Sequence, residues 1–288
     1  MIATPKRVVN LAGHLLSEDE IASITPCRLP QRHRSWLIVL RSGDRCWLKV
    51  SRGDVGVAGV RREAEVLRQL SSRFQTPRLL VADPGNPPCS ITAHLTGTPL
   101  AALDEAAVAG ALPSLARWVR SFGHEAAIAP HPGDAVAPWD LFGVAPDVAR
   151  LLGEGAEFWA DAARRLGLRA PVQPLADSVA APVGSVHGSF DEDNVLVDQH
   201  GTVTGVLDLE AARAGPPALD VAGLATDLLL RAQPGLARTW VDLWIAGDEQ
   251  QAALVHGFVQ LRLWYRHQAG LLPASVIPDA LWLLDQVA

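Results

Sequence analysis

Apolar and polar positions divide the 288-residue chain into two textures. Residues 36–50, WLIVLRSGDRCWLKV, are two β-rich runs around SGDR, a short turn with glycine at a place that tolerates positive φ, and they predict a hairpin. In VAGVRREAEVLRQLSSRF the apolar residues Val57, Val60, Ala64, Leu67 and Leu70 recur at spacings of three and four, the mark of a helix with one buried face. PRLLVAD and CSITAHL are short apolar runs bounded by Pro and Gly and predict two further strands. Residues 1–95 therefore read as a small antiparallel sheet with one helix. From about residue 100 the pattern turns to long Ala/Leu-rich helical stretches, residues 104–128 and 144–167, separated by the Pro-rich HPGDAVAP. NVLVDQHGTVTGVLDLE reads as a second hairpin set among them, and helices resume from residue 218, broken near Pro234, Gly247 and Pro273. Strands first and helices afterwards predict an α+β protein of two lobes, residues 1–95 and 96–288.

Composition narrows the classes. A hydrophobic fraction of 49% and a charged fraction of 19% are those of a globular chain. The net charge of −6 and the lack of any Lys/Arg run argue against a nucleic-acid footprint. There is no N-terminal apolar segment of about 7 to 15 residues with a cleavage site, and no run of about 18 apolar residues, so a soluble, cytoplasmic protein without membrane association is expected. Cys27, Cys46 and Cys89 are odd in number and widely spaced, which suggests buried free thiols rather than a disulfide framework or zinc site. Lysine occurs only at Lys6 and Lys49 in a chain whose positive charge is otherwise arginine.

Three signals carry chemistry. Lys49 ends the second strand of the first hairpin and Glu63 follows on the next helix; a strand lysine held by a helix carboxylate is suited to neutralising phosphates, though taken alone the two also read as a surface lysine and a solvated glutamate. Asn194 ends a loop that opens at His187. Asp208 lies in the strand-like GVLDLE. An amide oxygen and a carboxylate are ligands for Mg²⁺, which takes hard oxygen donors and bridges phosphate oxygens; separately each also reads as an ordinary turn Asn or a capping Asp, and the order and spacing of the whole set favour the metal.

HGSFDEDNVLVD followed by GVLDLEAARAGPPALDVAG resembles the aminoglycoside phosphotransferase family, which shares the bilobal fold of protein kinases and reads HGDxxxxN, then a strand ending in aspartate, then GDPALDLA. TPRLL with LTGTPL resembles its approach to the interlobe hinge, and SFGHEA the end of its long second-lobe helix. The resemblance implies an N-terminal nucleotide-binding lobe in which Lys49 meets the phosphates of ATP or GTP and Glu63 orients it. It implies a hinge at Thr92, Ala93, His94 and Leu95 that reads the base through backbone groups. It also implies Mg²⁺ at Asn194 and Asp208, a loop shaped by His187, and Asp220 anchoring that loop from the following helix.

The sequence departs from the family pattern in three places. Ser189 stands where the catalytic aspartate belongs, and a serine hydroxyl cannot act as a general base at neutral pH. Asp191, two residues on, projects to the same side of an extended loop and could serve as a displaced base; alternatively Asp191, Glu192 and Asp193 are a solvated acidic turn. TPCRLPQRHRSW carries no glycine where a phosphate-covering turn is expected, so Arg28, Arg32, His33 and Arg34 could meet phosphate by side chains, hold an anionic partner or simply solvate the loop. Pro216 replaces an acid in GPPALD. The C-terminal helices carry Trp240, Trp244, Trp264, Tyr265 and Trp282 with few acids, so a polycationic sugar is not the obvious acceptor. Trp264 and Tyr265 beside Arg262, Arg266 and His267 could line a pocket for a less charged metabolite, nucleoside or peptide, or belong to the core.

Two readings stand. One is an ATP- and Mg²⁺-dependent O-phosphotransferase acting on a hydroxyl of a small natural product or peptide, with Ser189, Asp191 and His187 at its catalytic loop. The other is a pseudokinase that binds a nucleotide, metabolite or precursor peptide for a partner biosynthetic protein.

Overall fold

The computed structural model describes residues 10, 12–13, 15–17, 20–27, 33–70, 74–85, 87–128, 148–168, 184–246 and 248–284. The HPGDAVAP crossing, Arg28 and Arg32 lie outside the described residues. The chain divides into two compact units, residues 1–97 with 204–212, and residues 98–203 with 213–288. The class is α+β.

In the first unit, β1 (Ile21–Pro26), β2 (His33–Leu40), β3 (Arg45–Ser51), β4 (Leu79–Asp83) and β5 (Cys89–Ala93) form an antiparallel sheet of order β1-β2-β3-β5-β4. The expected hairpin is β2 and β3, turning at Gly43 with φ of 91°. Alternation buries Trp36 and Ile38 of β2 and Cys46 and Leu48 of β3 with Cys89 and Ile91 of β5, and these form the core of one sheet face. The same period sends Trp47 and Lys49 to the other face. Helix α1 (Gly53–Gln69) buries Val60, Ala64 and Leu67 at the spacing read from the sequence, and Glu63 lies on the same buried side. The segment 204–212, far along the chain, joins this unit: the Val206 amide donates to the Gln75 carbonyl at 3.0 Å and the Arg62 side chain to the Ala212 carbonyl at 2.9 Å.

The second unit is mainly helical. Helix α2 (Glu105–Glu125) is capped by the Asp104 side chain and buries Val108, Leu112, Leu115, Trp118, Val119 and Phe122. It is followed by α3 (Val148–Leu166), α4 (Ala218–Leu230), α5 (Pro234–Ile245), α6 (Glu249–Gln268) and α7 (Val276–Leu284). Short strands β6 (Thr98–Pro99) and β8 (Val195–Val197) pair, as do β7 (Gly184–Val186) and β10 (Arg213–Gly215). Helix α4 is buried on nearly every side, as its apolar composition requires. No described helix is long and apolar enough to cross a membrane.

Candidate functional site

The first unit gathers its chemistry around Lys49. The ammonium lies 2.9 Å from Glu63 Oε2, 3.0 Å from Asp208 Oδ1 and 2.7 Å from Glu210 Oε1. Burial alone would lower the lysine's pKa, but the three carboxylates outweigh it and hold the group cationic well above its ordinary value. Burial pushes the Glu63 carboxyl up, against the pull of Lys49. Glu63 is 4% exposed, so its role in fixing the lysine is that of a buried ion pair.

Asp208 does not lie on a strand. It sits two residues beyond β9 (Val203–Val206) in a left-handed conformation with φ of 62°, unusual for a residue with a side chain. That backbone turn leads into a short 3-10 segment, Leu209–Ala211, and brings two acids of one tetrapeptide, Asp208 and Glu210, onto the same lysine.

Glu210 was missed by sequence reasoning. Its carboxylate bridges Lys49 and His33, whose Nε2 lies 2.6 Å away. Gly59 on α1 makes room for it, since a Cβ there would lie 2.5 Å from Glu210 Oε2. The available signal was an acid two residues after the expected metal ligand, which in sequence looks like any polar residue past a strand end. His33, expected to meet an anion or to solvate the loop, is buried and meets a carboxylate; Arg34 is exposed.

Thr92, Ala93, His94 and Leu95 are half-buried at the end of β5. The Ala93 and His94 amides donate to the carbonyls of Arg78 and Arg45 at 2.9 and 3.0 Å, so these two donors are spent within the sheet. The His94 ring accepts from Trp47 Nε1 at 3.0 Å.

In the second unit, the loop 187–194 is built on α4. Asp220, one turn into that helix and 2% exposed, accepts from the His187 amide at 2.7 Å and the Gly188 amide at 2.8 Å. Burial pushes its carboxyl up, and the two amides draw it back. Gly188 has φ of 82°, which only glycine adopts cheaply. One turn further, Gly223 lets the loop settle on the helix, since a Cβ there would lie 2.7 Å from the Phe190 carbonyl oxygen. His187 is fully buried against Trp118 and Phe190, and the Ser189 amide lies 3.3 Å from its Nδ1.

Ser189, Asp191 and Asn194 form a closed hydrogen-bonded ring. Ser189 Oγ donates to Asp191 Oδ2 at 3.2 Å, the Asn194 amide N–H to Asp191 Oδ1 at 3.0 Å, and Asn194 Nδ2 to Asp191 Oδ2 at 3.1 Å and to the Ser189 carbonyl at 3.0 Å. Burial holds the Asp191 carboxyl above the ordinary range despite these bonds. With both Nδ2 hydrogens of Asn194 committed, its remaining side-chain atom is the amide oxygen, the donor type that Mg²⁺ takes. The solvated-turn alternative fails at Glu192, which is buried and paired to Arg231 at 2.8 Å; only Asp193 of the three acids is exposed.

The aromatic residues of the C-terminal helices are mostly core. Trp240 is 0% and Trp264 2% exposed, and Trp240 Nε1 donates to the Val221 carbonyl. Trp264 therefore does not line a pocket with Tyr265; its volume was needed inside, where it faces the α3 position held by Gly155. Trp282 is 45% exposed. Cys46 and Cys89 are buried free thiols, and Cys27 is half-buried.

Residues 23–255 match the model of the phosphotransferase enzyme family. The chain belongs to that family. Among solved structures, aminoglycoside phosphotransferase APH(4)-Ia is similar over 98% of this chain and 97% of its own, with a TM-score of 0.62 and 14% identity. The wild-type aminoglycoside 2'-phosphotransferase-IIIa in complex with GDP gives a TM-score of 0.60 at 15% identity, covering 98% of this chain and 97% of its own. ADP-bound APH(2'')-Ib gives 0.59 at 12% identity over 99% of this chain and 98% of its own. Among curated proteins, no sequence matches this chain. The fold is thus protein-kinase-like, as the resemblance of the HGSFDEDN motif implies, and the family activity is phosphotransfer.

Proposed function

We propose that this family member is a Mg²⁺- and ATP- or GTP-dependent O-phosphotransferase that acts on a hydroxyl of a small natural product or peptide. The observation that carries this reading is the Lys49 cluster. The half-buried lysine is held by Glu63 at 2.9 Å and Glu210 at 2.7 Å, and its third partner, Asp208 at 3.0 Å, is the exposed one, the side from which a phosphate oxygen would reach the ammonium.

Each residue has the chemistry Mg²⁺ takes: Asp208 offers a carboxylate, 43% exposed, and Asn194 an amide oxygen, both hard donors. Bound Mg²⁺ would neutralise charge on the transferring phosphoryl group. Lys49 holds phosphate oxygens and Glu63 keeps the lysine in place. Asp191 accepts the acceptor hydroxyl's proton in place of the family's aspartate, oriented by Asn194. Asp220 and Gly188 fix the loop that presents it. At Thr92 to Leu95, base reading through backbone donors falls to residues other than Ala93 and His94, whose amides are already spent.

Ser189 favours the second reading, a pseudokinase that holds a nucleotide, metabolite or precursor peptide for a partner biosynthetic protein. Nucleotide consumption in the presence of hydroxyl acceptors separates the two. Turnover that Asp208→Ala abolishes supports the enzyme, whereas Mg²⁺-dependent binding without turnover across acceptors supports the binding module.

A further inference from the structure

An O-phosphotransferase needs an alcohol whose proton passes to a positioned carboxylate within about 2.6 to 3.2 Å. In this chain one alcohol already makes that contact. Ser189 Oγ donates to Asp191 Oδ2 at 3.2 Å, and it does so at the loop position where the family pattern has its catalytic acid. We propose that Ser189 is itself a phosphoryl acceptor, a self-phosphorylation site served by Asp191. The inference rests on the phosphotransferase reading.

The pairing is built rather than incidental. Two bonds from Asn194, at 3.0 and 3.1 Å, keep the Asp191 carboxylate from rotating away. Asn194 Nδ2 also grips the Ser189 carbonyl at 3.0 Å, so alcohol and carboxylate are fixed to the same amide. The next residue, Phe190, is 0% exposed and stacked on Trp118 at 5.3 Å, which anchors the backbone on one side of Ser189. The buried His187 anchors it on the other. Ser189 itself is only half-buried. A nucleophilic hydroxyl, an adjacent base and a third group orienting that base are the elements of an activated nucleophile.

In the step, Ser189 Oγ forms a bond to the γ-phosphorus of ATP while the bond from that phosphorus to the β,γ-bridging oxygen breaks. ADP leaves with the electron pair. The hydroxyl proton passes to Asp191 and then to solvent. The products are phosphoserine, ADP and one proton, and the phosphate restores negative charge at a position where serine had removed it.

The test starts from the full chain treated with a phosphatase, freed of it, and incubated with ATP and Mg²⁺, with intact-mass and tandem mass spectrometry read beside calorimetric nucleotide binding. One phosphate per chain is expected, on Ser189, at a first-order rate independent of protein concentration. Ser189→Ala should bind nucleotide and gain no phosphate; Asp191→Asn should bind it and label slower by about 10² or more. Nucleotide bound with Ser189 unmodified, or a hydroxylamine-labile phosphate on Asp191, overturns the proposal and leaves the phosphotransferase reading standing. Absence of nucleotide binding overturns both.

Discussion

The Lys49 ammonium lies closer to Glu210, at 2.7 Å, than to Glu63 at 2.9 Å. The lysine is therefore shared between the helix carboxylate and an acid from a segment some 160 residues away in sequence, consistent with the separation of 161 between the two positions. This pair ties β3 to the turn that carries Asp208.

Removing the cation should cost stability as well as activity. Lys49→Met leaves Glu63 buried beside Asp208 and Glu210 with no countercharge, and loss of one partner of a buried pair costs about 3 to 5 kcal/mol. Urea unfolding should show that loss, and Glu63→Gln combined with Lys49→Met should recover part of it. Equal stability of Lys49→Met and the wild type would contradict the burial argument.

Gly59→Ala tests the place of Glu210. A Cβ 2.5 Å from Oε2 makes the end of the Glu210 side chain shift from its place between Lys49 and His33, so Gly59→Ala should fall short of the gain of about 1 kcal/mol that alanine brings over glycine inside a helix. Thermal unfolding should register the shortfall, and Glu210→Ala in the same background should remove most of it.

The loop 187–194 should depend on α4. Asp220→Ala leaves the buried His187 and Gly188 amides without their acceptor, at about 1 to 3 kcal/mol for each unsatisfied group. The loss should appear in unfolding free energy and, in amide exchange, as reduced protection at residues 187 and 188.

His256 on α6 supplies a pH signature. Burial, with Arg238 nearby and Asp242 opposing, lowers its pKa from 6.5 to about 4. The unfolded chain therefore takes up the proton first as pH falls, so the stability is complete above about 6.5 and is lost as pH falls toward 4. The stability difference between wild type and His256→Gln should tilt toward wild type as pH rises through this window, by on the order of 3 kcal/mol. A difference that does not change with pH would contradict it.

The expected base can be tested by restoration. Asp191→Ala should lower phosphotransfer by about 10² or more, and Ser189→Asp should raise it within about 10² to 10⁴. Steady-state rates with one acceptor decide this, and indifference to both changes would remove Asp191 from the reaction.

Much of this was legible in the sequence because it is local. The β2-β3 hairpin announces itself by alternation, α1 by its apolar spacing, and the loop by His187, Asn194 and Asp220 at fixed separations. What escaped depends on where the chain returns. Glu210 gains its meaning only when residues 204–212 join the first unit, and no local pattern encodes that return. The left-handed turn at Asp208 follows a regular strand and breaks its period without a glycine to mark it. Asp191 projects toward Ser189 as expected, yet it also caps a turn through the Asn194 amide, a contact set by turn geometry rather than by i and i+2 spacing. Trp264 was ambiguous because an aromatic at helical spacing fits a core and a pocket equally well.

Calorimetric titration of the wild type and Asp208→Ala with ATP, with and without Mg²⁺, tests the central claim most directly. The account expects micromolar binding that requires Mg²⁺ and is lost in the variant. Absent binding, or binding indifferent to both the metal and Asp208, would contradict it and leave the Lys49 cluster a structural ion-pair network.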